Sequence, residues 1–203
     1  MSEKRRLGIF GGTFNPPHIG HVESAKSFIK ALSLDKLLII PTFIPPHKIS
    51  DDMATPENRL EMCRLAFSGI PKCEVSDIEI KRGGKSYTYL TLESLSAPDT
   101  HLFLLCGTDM ILTMDSWANP EVIFKLATIC YARRENDELN NTSINEKIVI
   151  YRQKYGAEIV FLNTPVIEIS SSEIRRKLRS GESYQEFLST QVEKHIIDSE
   201  LYK

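Results

Sequence analysis

Long hydrophobic runs are missing from this sequence. Its longest apolar stretches, such as residues 37–41 and 102–106, have the length of a β-strand. A membrane helix needs roughly 20 such residues. The basic start, residues 1–6, is followed only by the apolar stretch 7–10, which is too short for the core of a secretory signal. We therefore expect neither a membrane span nor a secretory signal.

Paired cysteines are also absent. The four cysteines stand singly, and no C-x-x-C spacing suggests a metal or redox site. Cys106 and Cys130 lie within apolar, strand-like runs, which is typical of inert buried thiols. We therefore predict that the chain resides in the reducing cytoplasm.

An excess of one charge sign is the third absence. The formal net charge is −2, from 25 basic and 27 acidic residues. Such a surface has no global attraction for nucleic acid or for an anionic membrane, so any anion site must be local. The length of 203 residues, with 41% hydrophobic and 26% charged residues, favours a single folded domain, residues 1–203, with a substantial core.

Strand-like and helix-like patterns alternate along the chain. Strands are predicted at 5–10, 36–40, 73–80, 101–106, 128–132 and 158–162, and helices at 18–33, 55–67, 86–96, around 117–126, and at 143–155, 170–180 and 191–199. This alternation predicts an α/β fold, a parallel sheet with helices on both faces. Ligands of such sheets bind at the carboxyl ends of the strands. The part from about residue 165 onward is predicted to be a small helical C-terminal end.

The most informative stretch runs from Gly11 to His21. Gly11 and Gly12 allow a sharp turn and a close approach to a ligand, and the helix that follows presents unpaired N–H groups that favour phosphate. His18 and His21 are three residues apart and can project from one side of the first turn. A plain turn is one alternative, and a metal site is another, although no third ligand is obvious nearby. The absent G-x-G-x-x-G pattern counts against an ordinary NAD-dependent dehydrogenase.

A second stretch places three hydroxyls and a guanidinium at a helix start. Ser170, Ser171 and Ser172 precede Arg175, and Glu173 has capping-box spacing from Ser170. Hydroxyls, free N–H groups and an arginine make a good triphosphate clamp. In isolation a well-capped surface helix fits the stretch better, but the first motif shifts the balance towards phosphate binding.

Both stretches resemble signatures of the nucleotidyltransferase superfamily. Residues 11–21 are similar to its opening motif, and residues 169–175 to its I-S-S/A-T/S-x-I-R motif. The tetrapeptide 18–21 also matches that of class I aminoacyl-tRNA synthetases. The resemblance implies a Rossmann-like, doubly wound sheet, with His18 and His21 as catalytic residues that hold the triphosphate and stabilise the transition state.

Further segments resemble the bacterial nicotinate-nucleotide adenylyltransferases. Residues 45–48 match a P-x-H-K loop, and residues 86–92 match S-Y-T-x-D-T-L except that Leu90 takes the place of the acid. Gly107 and Asp109 match a G-x-D motif, followed eight residues later by Trp117. The tail, residues 192–202, is similar to the family's usual ending, so the resemblance covers nearly the whole chain.

The resemblance implies a reaction and a set of binding residues. The adenylyl group of ATP would pass to nicotinate mononucleotide, giving deamido-NAD and pyrophosphate in NAD biosynthesis. ATP would be bound by Gly11, Gly12, Thr13, Phe14, His18, His21, Gly107, Asp109, Ser170, Ser171, Ser172 and Arg175. Nicotinate mononucleotide would be bound by Lys48, Tyr87, Thr88 and Trp117. Mg²⁺ would enter with the ATP phosphates and without protein ligands.

Several alternatives remain open on the sequence alone. The acceptor could be nicotinamide mononucleotide, phosphopantetheine or FMN. A synthetase fragment is disfavoured by the short chain, and a non-catalytic nucleotide sensor by the retention of His18 and His21. We expect no nucleic-acid or membrane partner, and a homo-oligomer is left open. Arg133 and Arg134 are candidate anion contacts, whereas His101 and His195 are expected to be structural.

Overall fold

The computed structural model describes residues 4–46, 52–132, 139–163 and 169–203. Within these ranges one six-stranded sheet has the order β3-β2-β1-β4-β5-β6, and each neighbouring pair is parallel. The strands are β1 (Arg5–Gly12), β2 (Lys36–Pro41), β3 (Cys73–Val75), β4 (Thr100–Gly107), β5 (Ala127–Ala132) and β6 (Ile159–Leu162). This is the strand order of a doubly wound sheet, whose ligand crevice lies where the order reverses, between β1 and β4.

Helices follow the strands and cover both faces of the sheet. The helices are α1 (Ile19–Ala31), α2 (Pro56–Phe67), α3 (Ile78–Arg82), α4 (Thr88–Leu95), α5 (Thr108–Thr113), α6 (Pro120–Leu126), α7 (Leu139–Tyr155), α8 (Ser171–Ser180) and α9 (Thr190–Asp198). Two short 3₁₀ turns, Met114–Ser116 and Gln185–Phe187, complete the described elements. The predicted Rossmann-like fold with helices on both faces is confirmed.

The strands form because their side chains are apolar on both faces. Ile9 of β1 lies opposite Leu38 on one side and Leu104 on the other, and all three belong to one buried cluster, packed under α4 to α7. Phe28 of α1 and Phe67 of α2 belong to a second cluster on the other face. Continuous apolar strands of this kind are typical of parallel sheets that are buried on both sides.

The C-terminal helices pack against α2 rather than against the sheet. Ile174 of α8 and Val192 and Ile196 of α9 are almost fully buried, and they form a third cluster with Met62 of α2. This cluster anchors α8, whose first turn reaches the carboxyl edge of the sheet. The predicted small helical end of the fold is therefore confirmed.

Local signals in the sequence marked several helix ends correctly. Thr55 caps α2 by accepting a hydrogen bond from the backbone N–H of Asn58 at 3.3 Å. Gly156 and Gly181, which follow α7 and α8, both have the positive φ that a C-terminal glycine supplies. Cys106 and Cys130 are buried, as predicted, and burial raises the pKa of the Cys130 thiol to about 12.

Three element predictions need correction. Residues 73–80 do not form one strand, because β3 stops at Val75 and the short helix α3 begins at Ile78. The alternating apolar residues of this stretch are typical of a strand. The backbone N–H of Ser76 still donates to the Ile39 carbonyl of β2 at 2.9 Å, but after this residue the chain leaves the sheet. Residues 108–113, for which no helix or strand was predicted, form α5, and α7 begins at Leu139, four residues before its predicted start.

None of the helices in the described ranges has the length and apolar character needed to cross a membrane. This observation agrees with the absence of long hydrophobic runs in the sequence.

Gly8 of β1 packs against three buried side chains, one of which is Phe28 of α1, 3.0 Å from where a Cβ atom would stand. A Cβ atom on Gly8 would lie 2.4 Å from Leu34 Cδ1 and 2.9 Å from Leu37 Cδ1. We expect Gly8→Ala to lower the free energy of unfolding by about 1–3 kcal/mol, because overpacking forces the helix or these side chains to move. Urea unfolding followed by circular dichroism measures the change.

Gly11→Ala is the matched control on the same strand. Its Cβ would meet nothing closer than the Ile40 carbonyl at 4.0 Å, so its free energy of unfolding should change by under about 1 kcal/mol. Equal losses in the two variants would contradict the packing explanation.

Candidate active site

A cavity of about 670 Å³ lies at the carboxyl edge of the sheet. The end of β1 and the first turns of α1, α4, α5 and α8 line it. Of the residues predicted from the sequence, the lining includes Gly11, Gly12, Thr13, Phe14, His18, His21, Tyr87, Thr88, Asp109, Trp117, Ser170, Ser171, Ser172 and Arg175. Gly107 is not among them; it ends β4 and directly precedes α5. Lys48, Arg133 and Arg134 lie outside the described residues.

The two histidines form a pair at the start of α1. Their ring centroids are 3.8 Å apart, and His18 is 8% exposed. The backbone N–H of His18 donates to Nδ1 of His21 at 3.2 Å, so the proton of a neutral His21 ring lies on Nε2. The motif thus fixes the tautomer of His21 with its own backbone, and it keeps both imidazoles at the edge of the cavity.

The other residues of this turn are shaped by packing. Phe14 has a positive φ of 50° and a ring that is only 2% exposed, in edge contact with Phe10 and His21. Any contact of Phe14 with a nucleotide therefore comes from its backbone. A Cβ on Gly20 would lie 3.1 Å from the ring of His18, so glycine at this position leaves room for the histidine pair.

The two distant motifs meet directly. Ser171 Oγ donates to the Pro16 carbonyl at 2.9 Å, and Arg175 Nη1 donates to the Asn15 carbonyl at 2.9 Å. These bonds join positions more than 150 residues apart in the chain. They place the starts of α1 and α8 at one cavity, where two sets of helix N–H groups and a guanidinium can hold an anion.

The start of α8 is capped as its sequence indicates. Ser170 Oγ accepts a hydrogen bond from the backbone N–H of Glu173 at 3.1 Å. The hydroxyls of Ser170 and Ser171 are therefore engaged within the protein, and the backbone N–H groups of the first turn are the donors best placed for a phosphate.

Asp52 joins the same cluster, although no sequence motif marked it. Its carboxylate accepts from Nε of Arg175 at 2.9 Å and also pairs with Arg179, which lies one turn further along α8. Its carbonyl accepts from the side-chain amide of Asn15 at 3.3 Å. Asp52 thus neutralises one of the two positive charges that α8 brings to this edge.

The other side of the cavity is built around the start of α4. Tyr87 and Thr88 line the cavity where this helix begins. The Tyr87 N–H donates to the Lys85 carbonyl at 3.0 Å, so the donors that a helix start offers here are the first-turn N–H groups from Thr88 onward. Trp117, the only tryptophan, follows the turn Met114–Ser116 and lines the same region. The arrangement offers an aromatic surface beside helix N–H donors, which suits a flat, anionic ring.

A buried carboxylate stands next to α4, but it does not come from position 90. Leu90 is half-buried and does not line the cavity. Glu79 of α3 is 6% exposed, lines the cavity, and accepts a 2.6 Å hydrogen bond from Thr91 Oγ1. Arg82 donates to the same hydroxyl at 3.1 Å. Burial raises the pKa of Glu79, and the hydrogen bonds of Thr91 and Ser86 and the charge of Arg82 oppose that rise.

Comparison with known proteins now identifies the family. The family model of cytidylyltransferase-like proteins matches residues 9–177. A probable nicotinate-nucleotide adenylyltransferase of Caldicellulosiruptor saccharolyticus is 36% identical, over 98% of this chain and 99% of the relative. One from Lachnoclostridium phytofermentans is 34% identical, over 98% and 99%. This chain belongs to the nicotinate-nucleotide adenylyltransferase family.

Solved structures agree with this family in their fold. The nicotinic acid mononucleotide adenylyltransferase of Plasmodium falciparum complexed with NaAD has a TM-score of 0.79 at 18% identity, over 98% of this chain and 97% of that chain. A putative nicotinate-nucleotide adenylyltransferase from Vibrio parahaemolyticus has a TM-score of 0.66 at 21% identity, over 98% and 95%. The Rossmann-like nucleotidyltransferase fold predicted from the sequence is thereby confirmed.

Sequence reasoning missed four residues that hold this family member's site together: Asn15, Asp52, Arg59 and Glu79. A signal existed for Arg59, because it shares a helical face with Met62, Cys63 and Phe67, all of which are buried. A charged residue on an apolar helix face is unusual enough to indicate a buried polar role. The remaining three lacked such a pattern.

No cluster of three or more metal-ligating side chains occurs among the described residues. His101 and His195 lie away from the cavity, where each ring nitrogen Nε2 contacts a neutral side chain, Thr128 at 2.9 Å and Asn58 at 3.0 Å respectively. Their structural interpretation is consistent with these contacts.

Asp52→Asn tests the electrostatics of the α8 start. The substitution removes one negative charge beside Arg175 and Arg179 and keeps an oxygen that can accept a hydrogen bond. We expect inorganic pyrophosphate to bind about three- to tenfold more tightly, because a neighbouring unit charge contributes on the order of 1 kcal/mol. Isothermal titration calorimetry at two salt concentrations measures the gain, which should shrink as salt screens the charge.

Asp35→Asn is the matched control for this measurement. The Asp35 carboxylate accepts from the backbone N–H of Arg6 at 2.7 Å, at the amino edge of the sheet, and its loss should leave pyrophosphate binding unchanged. Weaker binding by Asp52→Asn would contradict the electrostatic interpretation and indicate that Asp52 mainly orients the arginines.

Proposed function

We propose that this chain transfers the adenylyl group of ATP to nicotinate mononucleotide, forming deamido-NAD and pyrophosphate in NAD biosynthesis. The observation that carries the proposal is the single cavity in which the starts of α1 and α8 meet opposite the start of α4 and Trp117. One side suits a polyphosphate, and the other suits an aromatic ring with a carboxylate. Full-length relatives that are 34–36% identical carry the same activity in their names.

The reaction on this proposal is a direct, in-line displacement. A phosphate oxygen of nicotinate mononucleotide attacks the α-phosphorus of ATP, the bond between the α-phosphorus and the bridging oxygen breaks, and pyrophosphate leaves with the electron pair. The attacking phosphate is already ionised near neutral pH, so no protein nucleophile or strong general base is needed. Catalysis then consists of positioning and stabilisation of negative charge.

We assign the charge stabilisation to the paired helix starts. His18 and His21 would donate from their imidazoles to the phosphates of ATP, and the first-turn N–H groups of α8 and the guanidinium of Arg175 would hold the departing pyrophosphate. Mg²⁺ would arrive with ATP, bound to its phosphates, since the described residues provide no cluster of protein ligands for it. Asp109, at the start of α5, is the candidate acceptor for ribose hydroxyls.

We assign the acceptor base to the opposite wall. The pyridine ring would stack on Trp117, and its carboxylate would accept hydrogen bonds at Tyr87 and Thr88, where α4 begins. Lys48 stays a prediction for the acceptor phosphate. We place the reaction in the cytoplasm, because the four cysteines stand singly in the sequence, which is typical of a protein from a reducing compartment. The absence of nucleic-acid partners and any homo-oligomer also stay predictions.

A panel of acceptors tests the substrate. Pyrophosphate release is measured with Mg-ATP and nicotinate mononucleotide, nicotinamide mononucleotide, phosphopantetheine or FMN. We expect the largest kcat/KM with nicotinate mononucleotide, because the N–H groups at the start of α4 match a carboxylate better than an amide. Equal values for the acid and the amide would remove the acid preference, and a larger value for phosphopantetheine or FMN would replace the proposed acceptor.

His21→Ala tests the catalytic pair. We expect kcat to fall about 100- to 10,000-fold, because an imidazole that stabilises the transferred phosphate is lost. His195→Ala is the control, since His195 lies on α9 and contacts Asn58 rather than the cavity. Circular dichroism checks that both variants fold, and an unchanged kcat in folded His21→Ala would remove His21 from the mechanism.

A further inference from the structure

Arg59 is a fully buried cation that does not line the cavity. Its side chain projects from α2 into the space between the loop that ends β1 and the loop that follows β2, and it is 0% exposed. Arg59 is one of the largest side chains that are completely buried in the described part of the molecule. A guanidinium in this position is costly to desolvate unless its donors are satisfied.

Each nitrogen of Arg59 has an acceptor, and the acceptors belong to three separate segments. Nε donates to the Ala54 carbonyl at 3.0 Å, and Nη2 donates to the Phe43 carbonyl at 3.0 Å. Nη1 donates to the Thr13 carbonyl at 2.9 Å and, more weakly, to Thr42 Oγ1 at 3.4 Å. One rigid, planar group therefore sets the distances between three stretches of backbone.

All of these partners are neutral. None of the ion pairs formed by the described residues includes Arg59, although the charge of Glu57 favours its protonated form. Burial lowers the pKa of Arg59, but a guanidinium stays protonated in proteins. The site therefore has a buried positive charge behind its backbone that is held in no ion pair of the described residues.

The loops that Arg59 joins both reach the cavity, and the loop after β2 is tied to the segment before α4, because the backbone N–H of Phe43 donates to Ser86 Oγ at 2.8 Å. Thr13 belongs to the glycine motif, next to the histidine pair, whereas Thr42 begins the segment that continues to Pro45 and Pro46 at the cavity wall. A carbonyl that accepts a charge-assisted hydrogen bond polarises its peptide, so the N–H of the Thr13–Phe14 peptide becomes a stronger donor. The buried charge also raises the positive potential of the cavity.

We propose that Arg59 is a positioning residue for both substrates: its guanidinium fixes the spacing between the glycine loop after β1 and the loop after β2 that contacts Ser86 beside the start of α4, and its charge strengthens the polyphosphate site. The inference rests on the proposed function for the identity of the substrates. A residue that only stabilised the fold would lower the unfolding midpoint without changing ATP binding or kcat.

Two substitutions separate the charge from the geometry. Arg59→Lys keeps the charge but can reach only some of the acceptors, so ATP should bind within about threefold of the wild type while kcat falls about tenfold or more, because small misplacement of reacting groups is costly. Arg59→Met loses both, so the dissociation constant for ATP should also rise about tenfold. Calorimetry measures ATP binding, and pyrophosphate release measures kcat and KM per folded molecule.

Arg6→Met is the control for loss of stability alone. Arg6 also donates to a backbone carbonyl, that of Leu32 at 2.7 Å, but it lies at the amino edge of the sheet. We expect it to lower the unfolding midpoint without changing ATP binding, KM or kcat. The same outcome in Arg59→Lys and Arg59→Met would overturn the proposal, and if Arg59→Met does not fold, a wild-type kcat in Arg59→Lys overturns it.

The calorimetric measurement keeps the two proposals apart. Failure of the wild-type protein to use nicotinate mononucleotide would refute the proposed acceptor and leave the ATP-binding comparison of the Arg59 variants intact. Normal wild-type turnover together with unaltered variants would refute the role of Arg59 alone.

Discussion

The site depends on the contact between the loop that ends β1 and the first turn of α8. Two hydrogen bonds, from Ser171 to the Pro16 carbonyl and from Arg175 to the Asn15 carbonyl, hold this contact. Without them the molecule would have two separate helix starts, each a weak anion site. With them, the donors converge on one cavity. The third hydrophobic cluster, which anchors α8 on α2, therefore also holds the α8 donors in place.

Much of this architecture could be predicted because short-range signals carried it. The central strands are continuous apolar runs, and the helix caps at Thr55 and Ser170 occur where their residue types indicated. The convergence of the two motifs also followed from physics, since the carboxyl ends of parallel strands share one edge. The residues predicted from this edge, apart from Gly107 and those outside the described ranges, line a single cavity.

The connections between loops could not be predicted, because they depend on distance rather than on pattern. The carboxylate of Asp52 accepts a hydrogen bond from Arg175, which lies 123 positions later in the chain. Glu79 contacts α4 because residues 78–82 form a helix, whereas the alternation of apolar residues predicted a strand. Leu90 stands where the family motif has an acidic residue. The carboxylate of Glu79, from α3, lies beside α4 instead. A local pattern identifies which residues carry chemistry, but tertiary packing decides which of them touch.

The contact of Tyr202 with Asn15 joins the C-terminal end of the chain to the opening motif. Its hydroxyl donates to the side chain of Asn15 at 2.7 Å in the buried interior, so a residue of the opening motif obtains a partner from 187 positions later. The ribosome delivers residue 15 long before residue 202. The hydrogen-bond set of Asn15 is therefore complete only after Tyr202 has been translated, and a nascent chain halted earlier has the opening motif without this buried contact.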